Sequence, residues 1–261
     1  MKHRPICLYA LVLAFFLAAA PLTFGQDRPP SNASSFRPGL EFEYGSRTVG
    51  WTENGQDVTS KASFWMASFV LEYGIQPGFS LAARVGYSST AFDELTFRQL
   101  PLSIELEAGG MGGLVLGADL EKSLYSGEAY HLDVVGRFLA SLGINKEWDI
   151  PGLAVEGTAQ GKPTWMNASF GPVLTFRNWA GIAPYIFPRL DYFWGQFKLE
   201  ETIQELQGNE QKDLKGKAIF GLALGADIEL SARLFLRCEG AVYPREGGAD
   251  YSFVIRTLYA F

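Results

Sequence analysis

A histidine and an aspartate two residues apart are the most reactive pair in this chain. His131 and Asp133 fall on the same face of any β-strand, because side chains alternate along a strand, and Ser123 and Ser126 are close in sequence. A serine, a histidine and an aspartate are the groups that many hydrolases use to activate a nucleophile. All of them lie beside a predicted tight turn at 125–127, which favours a polar cluster at a strand end over an active site.

Metal and cofactor chemistry has fewer candidates still. The sequence holds two histidines and two cysteines, and one of each, His3 and Cys7, falls in a predicted leader. The remaining His131 and Cys238 form no cluster at ligand spacing. A calcium site made of carboxylates in the acidic segment 200–210 is the one alternative. We therefore expect no enzymatic activity, no cofactor and no metal.

Charged residues of both signs recur at alternate positions along much of the chain. They alternate with apolar side chains, as Glu41 and Glu43 do with Leu40, Phe42 and Tyr44. Inside a narrow closed sheet such charges should pair, because an unpaired buried charge is costly. The alternative is a narrow water-filled pore whose surplus of carboxylates favours cations. The predicted inward charges are Glu41, Glu43, Arg84, Glu105, Glu107, Asp119, Glu121, Asp133, Arg137, Arg189, Asp191, Asp227, Glu229, Arg237, Glu239 and Arg256.

These charges lie on ten segments that alternate in character and are bounded by turn residues, a pattern typical of barrel strands. The predicted strands are about 36–50, 59–74, 78–91, 103–124, 129–143, 162–177, 182–199, 215–230, 234–243 and 251–261. Short turns at 75–77, 125–127, 178–181 and 231–233 alternate with longer segments at about 51–58, 92–102, 144–161, 200–214 and 244–250. The stretch 200–207 is also compatible with a helical turn.

The final strand carries an aromatic or branched side chain at every second position and ends on a phenylalanine. Its greasy face contains Tyr251, Phe253, Ile255, Tyr259 and Phe261. This pattern resembles the C-terminal signature of bacterial outer-membrane β-barrels, which their assembly machinery reads. The layout is similar to that of the small OmpA, OmpX and OmpW-like families. The resemblance implies an all-β fold, a single antiparallel transmembrane β-barrel of about ten strands, with eight or twelve as alternatives.

The first residues predict export. Lys2, His3 and Arg4 precede a short apolar run at 6–20, the arrangement of a secretory signal peptide. We expect a signal peptide at 1–25, a flexible periplasmic segment at 26–35 and the barrel at 36–261. With 28 acidic against 22 basic residues, the formal net charge of −6 makes nucleic acid an unlikely partner.

The sequence thus predicts a non-enzymatic protein of the bacterial outer membrane with a charge-paired, largely closed lumen. Its role would be envelope integrity or surface interaction through external loops. The alternatives are a narrow channel for small solutes or cations, and a secreted soluble barrel that binds a small apolar ligand. Expected partners are outer-membrane lipid, lipopolysaccharide and the barrel-assembly machinery, with the protein itself a monomer.

Overall fold

The computed structural model describes residues 36–53, 55–93, 95–97, 104–106, 109–150, 157–177 and 181–261, with only the backbone at 96 and 104–106. The predicted signal peptide at 1–25 and the segment 26–35 lie outside the described residues. Fourteen antiparallel strands account for nearly all of the described chain. They are β1 (Phe36–Glu53), β2 (Gln56–Gln76), β3 (Phe79–Asp93), β4 (Leu95–Phe97), β5 (Ile104–Leu106), β6 (Met111–Ser126), β7 (Tyr130–Gly143), β8 (Lys146–Asp149), β9 (Gly157–Phe176), β10 (Ile182–Ile203), β11 (Leu206–Gly216), β12 (Phe220–Ser231), β13 (Leu234–Arg245) and β14 (Gly248–Tyr259).

Ten of these strands close into what we call the membrane ring, in the order β1, β2, β3, β6, β7, β9, β10, β12, β13 and β14. The last strand pairs with the first, with Leu40 opposite Thr257 and Tyr44 opposite Phe253. The predicted fold class, an antiparallel barrel of about ten strands closed between its two ends, is therefore confirmed.

A second and smaller ring lies above the first. Beyond Ser46, β1 leaves β14 and pairs with β11 instead, with Val49 opposite Gly216 and Gly50 opposite Lys215. Because β11 also pairs with β10, the strands β12, β13 and β14 are bypassed. The result is a closed ring of eight strands, β1, β2, β3, β6, β7, β9, β10 and β11, which we call the outer ring.

A buried aspartate stabilises the junction between the two rings. Asp250 is 3% exposed and accepts hydrogen bonds from the backbone N and the Oγ1 of Thr48, both at 2.8 Å. Arg245 donates a third bond, from Nε at 3.1 Å. The carboxylate thus satisfies a backbone donor at the point where β1 exchanges one neighbouring strand for another.

Two bands of aromatic side chains mark the lipid-facing surface of the membrane ring. One band contains the stacked pairs Phe36–Tyr73 and Tyr125–Tyr130, with ring centroids 4.6 and 5.1 Å apart. The other contains the ring pairs Tyr44–Tyr251, Trp65–Tyr87 and Tyr192–Trp194. Along β2 the bands are eight residues apart, or roughly 20 Å along the membrane normal for a tilted strand. Exposed leucine, valine and phenylalanine side chains fill the space between them.

The apolar outer surface distinguishes a membrane barrel from a soluble one. A band of about 25 Å between aromatic girdles is what the hydrocarbon layer of the outer membrane requires. The alternative of a secreted soluble barrel is wrong, because such a barrel would bury these side chains. The described residues contain no helix that is long and apolar enough to cross a membrane.

The two ends of the barrel differ in the way the prediction requires. The first residue of β1, the last residue of β14 and the ends of β2, β6, β9 and β12 lie at one end. At the other end β2 continues nine residues beyond Trp65, to Gln56. Short turns and both termini are typical of the periplasmic end, so the outer ring faces the cell exterior.

Several predicted boundaries are wrong. The segments 51–58 and 200–214, predicted as loops, are strand hairpins that extend β1, β2, β10 and β11 above the membrane. The stretch 200–207 is therefore not helical. The predicted strand 103–124 is also two separate elements, because β5 pairs with β4 in a small sheet of its own and the barrel strand begins at Met111.

Candidate functional site: the barrel interior

The inward faces of the strands change in chemistry where the membrane ring gives way to the outer ring. On β1 the inward positions run from Glu41 and Glu43 to Val49 and Trp51 without a change of phase. The outward positions change the opposite way, since β10 passes from Tyr192 and Trp194 to Lys198 and Glu200. On these strands the charged side therefore faces inward in the membrane and outward above it.

A packed apolar cluster fills the outer ring. Its aromatic rings contact one another, with centroids 4.9 Å apart for Phe64 and Trp165 and 5.3 Å apart for Trp165 and Phe193. Its two indole N–H groups are satisfied, because Trp165 Nε1 donates to Thr90 Oγ1 at 2.9 Å and Trp51 Nε1 donates to Glu53 Oε2 at 3.2 Å. The buried members are Val49, Trp51, Ala62, Phe64, Met66, Phe92, Leu95, Phe97, Met111, Val115, Leu139, Ala159, Trp165, Phe193, Phe197, Leu199 and Leu214.

Part of this cluster comes from a hairpin that does not belong to either ring. The strand β4 contributes Leu95 and Phe97, which are both fully buried. Phe97 packs against Phe197 with ring centroids 5.3 Å apart. The connection between β3 and β6 therefore folds inward and adds side chains to the interior of the outer ring.

A buried lysine lies above the apolar cluster. Lys212 contacts Glu210 at 3.0 Å and Glu53 at 3.3 Å. Its ammonium group also lies 5.2 Å from the ring centroid of Trp51 and 5.3 Å from that of Phe97. Cation–π contacts of this kind stabilise a desolvated charge, so the lysine connects the carboxylates of Glu53 and Glu210 to the apolar cluster.

Below the cluster, four buried charges form a closed group at the level of the membrane. Arg84 donates to Glu41 at 2.6 Å and also bonds Asp119. Arg256 donates to Glu41 at 2.5 Å and to Asp119 at 2.8 Å. Two arginines and two carboxylates thus satisfy one another, which is the arrangement that makes buried charges tolerable. We call these four residues the charge quartet.

A second group surrounds Glu239. Arg137 binds this carboxylate through two bonds of 2.9 and 3.1 Å, and Arg189 donates to it at 2.8 Å. The Tyr185 hydroxyl adds a bond of 2.9 Å. Arg189 also bonds the hydroxyl of Tyr243. Forked contacts between a guanidinium and a carboxylate are both strong and directional, so this group connects β7, β10 and β13 across the lumen.

Two more carboxylates on the predicted list are held by arginines. Arg237 binds Asp227 through bonds of 2.6 and 2.9 Å. Asp191 accepts from Arg47 and from Asn167, each at 2.9 Å.

The other predicted charges are not paired in the same way. Glu43, Glu121 and Glu229 make no ion pair within the described part of the chain. Glu121 lines two small recesses in the periplasmic half, both also lined by Arg137 and Arg237. Glu105 lies on β5 rather than on a barrel strand, so its assignment to the barrel wall is wrong. Glu107 lies outside the described residues.

His131 is at the periplasmic mouth, and both of its ring nitrogens are engaged. Nε2 lies 2.6 Å from Asp133 and 3.1 Å from the Ser123 hydroxyl. Nδ1 lies 3.2 Å from Arg177, which can only donate. A hydrolytic triad needs the carboxylate on one nitrogen and the serine on the other. Here both share Nε2, so the contacts are those of a polar cluster. The described residues contain no group of three or more metal-binding side chains.

Several interior residues had no place in the sequence prediction. Arg47 lies over the ring of Tyr243, 3.1 Å from its centroid, and Arg37 pairs with Glu72 at the periplasmic mouth. Arg47 shares the inward phase of Glu41 and Glu43, so alternation alone could have identified it. Lys212 could not have been identified this way, because its strand was predicted as a loop.

The residues of the terminal signature all lie on the lipid-facing side. Tyr251, Phe253 and Tyr259 are exposed, and Ile255 is half-buried. Phe261 is 85% exposed and lies edge-on to Tyr259. The apolar face of the final strand is therefore available to lipid along its whole length.

Comparisons with known proteins agree with this architecture. No family model matches the sequence, and the comparison with curated proteins finds no match. The outer membrane protease OmpT from Escherichia coli is similar over 92% of this chain and 99% of its own, with a TM-score of 0.51 and 11% identity. The translocator domain of autotransporter NalP from Neisseria meningitidis is similar over 97% of this chain and 95% of its own, with a TM-score of 0.45 and 11% identity. An outer membrane channel from Pseudomonas putida F1 is similar over 91% of this chain and 100% of its own, with a TM-score of 0.38 and 12% identity.

At these identities the likeness extends to the fold alone. The fold is that of bacterial outer-membrane β-barrels, and the chain has the lipid-facing band that this location demands. The predicted outer-membrane location is confirmed.

Proposed function

We propose that this outer-membrane β-barrel is a closed, non-enzymatic scaffold that holds a rigid folded cap above the membrane. Its role is envelope integrity or interaction at the cell surface, through the polar outer face of the outer ring. One observation carries the proposal: the barrel narrows from ten strands to eight at the level where its interior becomes apolar.

The narrowing has a direct physical consequence. A ring of about eight strands is just wide enough for its own side chains to fill it. Because these side chains are apolar, an ion that passed between them would lose its hydration without gaining a partner. The ion-paired interior of the membrane ring is a second barrier in series. A solute would have to displace both.

The histidine geometry supports a non-enzymatic role. His131 shares one nitrogen between Asp133 and Ser123 and faces Arg177 with the other. No proton acceptor is left on the ring to activate the serine. We expect no hydrolysis of peptide, ester or glycolipid substrates.

The assembly partners follow from the ends of the sheet. The exposed Phe261 and the outward face of β14 suit recognition by the barrel-assembly machinery. A monomer suits a sheet in which β14 pairs with β1, since the membrane ring is then closed within one chain.

The second candidate is a narrow cation channel, and one observation favours it. Glu43, Glu121 and Glu229 are inward carboxylates without an ion pair in the described chain. Glu121 and Glu229 would attract cations into the periplasmic half, and Glu43, next to Tyr44 of the outer aromatic band, would attract them to the level just below the apolar cluster. A conducting path would still require the apolar cluster to open.

Planar-bilayer recording separates the two candidates. We expect the refolded protein to insert without conductance steps. A general porin reconstituted in the same way shows that the assay detects a pore. Heat-modifiable gel mobility verifies that both proteins are folded. Reproducible steps from the unaltered protein would refute the closed scaffold, and cation selectivity of those steps would support the channel.

A further inference from the structure

The outer surface of the outer ring carries a pair of lysines that no described residue neutralises. Lys162 on β9 and Lys198 on β10 are directly opposite each other in the strand pairing, and both are exposed. Like charges in this position repel, because opposed Cβ atoms in a sheet are about 5 Å apart. Neither lysine has an ion pair or a hydrogen bond within the described chain, although Glu200 is two positions from Lys198.

The surroundings of this lysine pair are polar and suit an anion. Thr164 and Gln196 form the row below it, and Gln211 on β11 is opposite Lys198 on the other side. Asp213 is the nearest acid on β11, and Gln211 already binds it at 3.0 Å. Gln211 also donates to the Gln196 amide oxygen at 3.1 Å, so the Thr164 hydroxyl and the Gln196 amide nitrogen are the donors left beside the two ammonium groups. Groups of these kinds hold phosphate oxygens.

The depth of the pair identifies the source of the anion. Lys198 is four residues above Trp194, in the outer aromatic band, which places it roughly 10 Å beyond the edge of the hydrocarbon. Lys215 is opposite Trp194 and supplies a third cation at the band itself. Below them Tyr192 is half exposed and available to acyl chains. Cations just outside the hydrocarbon meet the phosphorylated head groups of the outer leaflet.

We propose that Lys162 and Lys198 bind a phosphate of lipopolysaccharide on the outer face of the barrel, with Lys215 assisting at the aromatic band. Binding relieves the repulsion between the opposed lysines. It also gives this net-acidic chain an attachment to the anionic surface of the cell on one side of the barrel. The inference does not depend on whether the lumen conducts.

The test measures binding of purified lipid A to the refolded full chain in a neutral detergent, followed by tryptophan fluorescence. The variant is Lys162→Gln/Lys198→Gln. The matched control is Lys122→Gln/Arg233→Gln, which makes the same change in net charge on exposed residues at the periplasmic end. Each lysine near an anionic surface contributes about fivefold to affinity. We therefore expect about 25-fold weaker binding for the variant and no more than twofold for the control.

Two further probes identify the recognised group. Lipid A without its phosphates should bind the unaltered protein about as weakly as intact lipid A binds the variant. Inorganic phosphate at millimolar concentration should not displace lipid A. An equal loss in variant and control, equal binding of phosphorylated and dephosphorylated lipid A, or displacement by free phosphate would each overturn the proposal. Unchanged near-ultraviolet circular dichroism of the variant shows that it is folded.

Discussion

Replacing Arg84 tests whether the lumen is dry. Arg84 lies between Glu41 and Asp119 in the charge quartet, and all four members are at most 7% exposed. Arg84→Met keeps most of the side-chain volume but leaves two carboxylates facing only Arg256. Breaking a buried ion pair by removing one partner costs about 3–5 kcal/mol, so we expect a loss of that size in unfolding free energy.

A second substitution tells an uncompensated charge from lost packing. Glu41→Gln in the Arg84→Met background returns the quartet to one cation and one anion. If the cost of Arg84→Met is electrostatic, the double variant should recover about 2 kcal/mol or more, as coupled sites do. Arg233→Met is the control, because Arg233 is an exposed residue in the turn between β12 and β13. Its cost should stay within about 0.5 kcal/mol.

The measurement is urea unfolding of the protein refolded into phosphatidylcholine vesicles, followed by tryptophan fluorescence. The reasoning is refuted if Arg84→Met costs no more than Arg233→Met. In that case water would hydrate the quartet, the lumen would be open at this level, and the narrow-channel candidate would gain support. If the double variant does not recover unfolding free energy, Arg84 acts mainly through packing.

Three further substitutions probe other parts of the barrel with the same unfolding assay. Asp250→Ala should cost about 2–4 kcal/mol, because the buried Thr48 N–H and hydroxyl lose their acceptor, and a cost below 1 kcal/mol would show that the ring junction does not depend on it. Phe97→Ala should cost about 3–5 kcal/mol from the cavity left in the apolar cluster, whereas a neutral result would mean that the β4–β5 hairpin does not pack there in the membrane. Gly117→Ala should destabilise by about 1–3 kcal/mol, because the added methyl would lie 2.6 Å from the Arg84 side chain and 2.9 Å from the Phe138 carbonyl oxygen. An unchanged unfolding free energy for Gly117→Ala would contradict the close packing of the Arg84 side chain against β6.

The membrane ring could be predicted from the sequence, whereas the outer ring could not. In the membrane ring the exposed apolar side chains point to lipid, so alternation gives both the strand and its direction. Above the membrane the alternation persists, but Phe197 and Leu199 face inward while Lys198 and Glu200 face outward. When an apolar face is assumed to contact lipid, a strand whose outward face is polar is mistaken for a polar loop. The alternation is visible in the sequence, but the sequence does not show whether the outward face meets lipid or water.

The charges of the interior were predictable in side but not in partner. Phase along a strand places Arg84, Arg137 and Glu239 inward. Their contacts, however, join residues that are 43 and 102 positions apart, for Arg84–Glu41 and Arg137–Glu239. Such pairings depend on barrel shear and on the bypass of β12 to β14 by β11. Neither is encoded in local alternation.

The two rings are closed by different parts of the chain. The outer ring is complete once β11 reaches β1, so it contains no residue after Gly216. The membrane ring also needs β12, β13 and β14, which follow Gly216 in the sequence. A chain that ends at Gly216 would retain every pairing of the outer ring. It would still expose the edges of β1 and β10 to hydrocarbon, where unpaired backbone groups are not tolerated. The strands β12, β13 and β14 are therefore needed only to close the barrel within lipid, because the outer ring above the membrane closes without them.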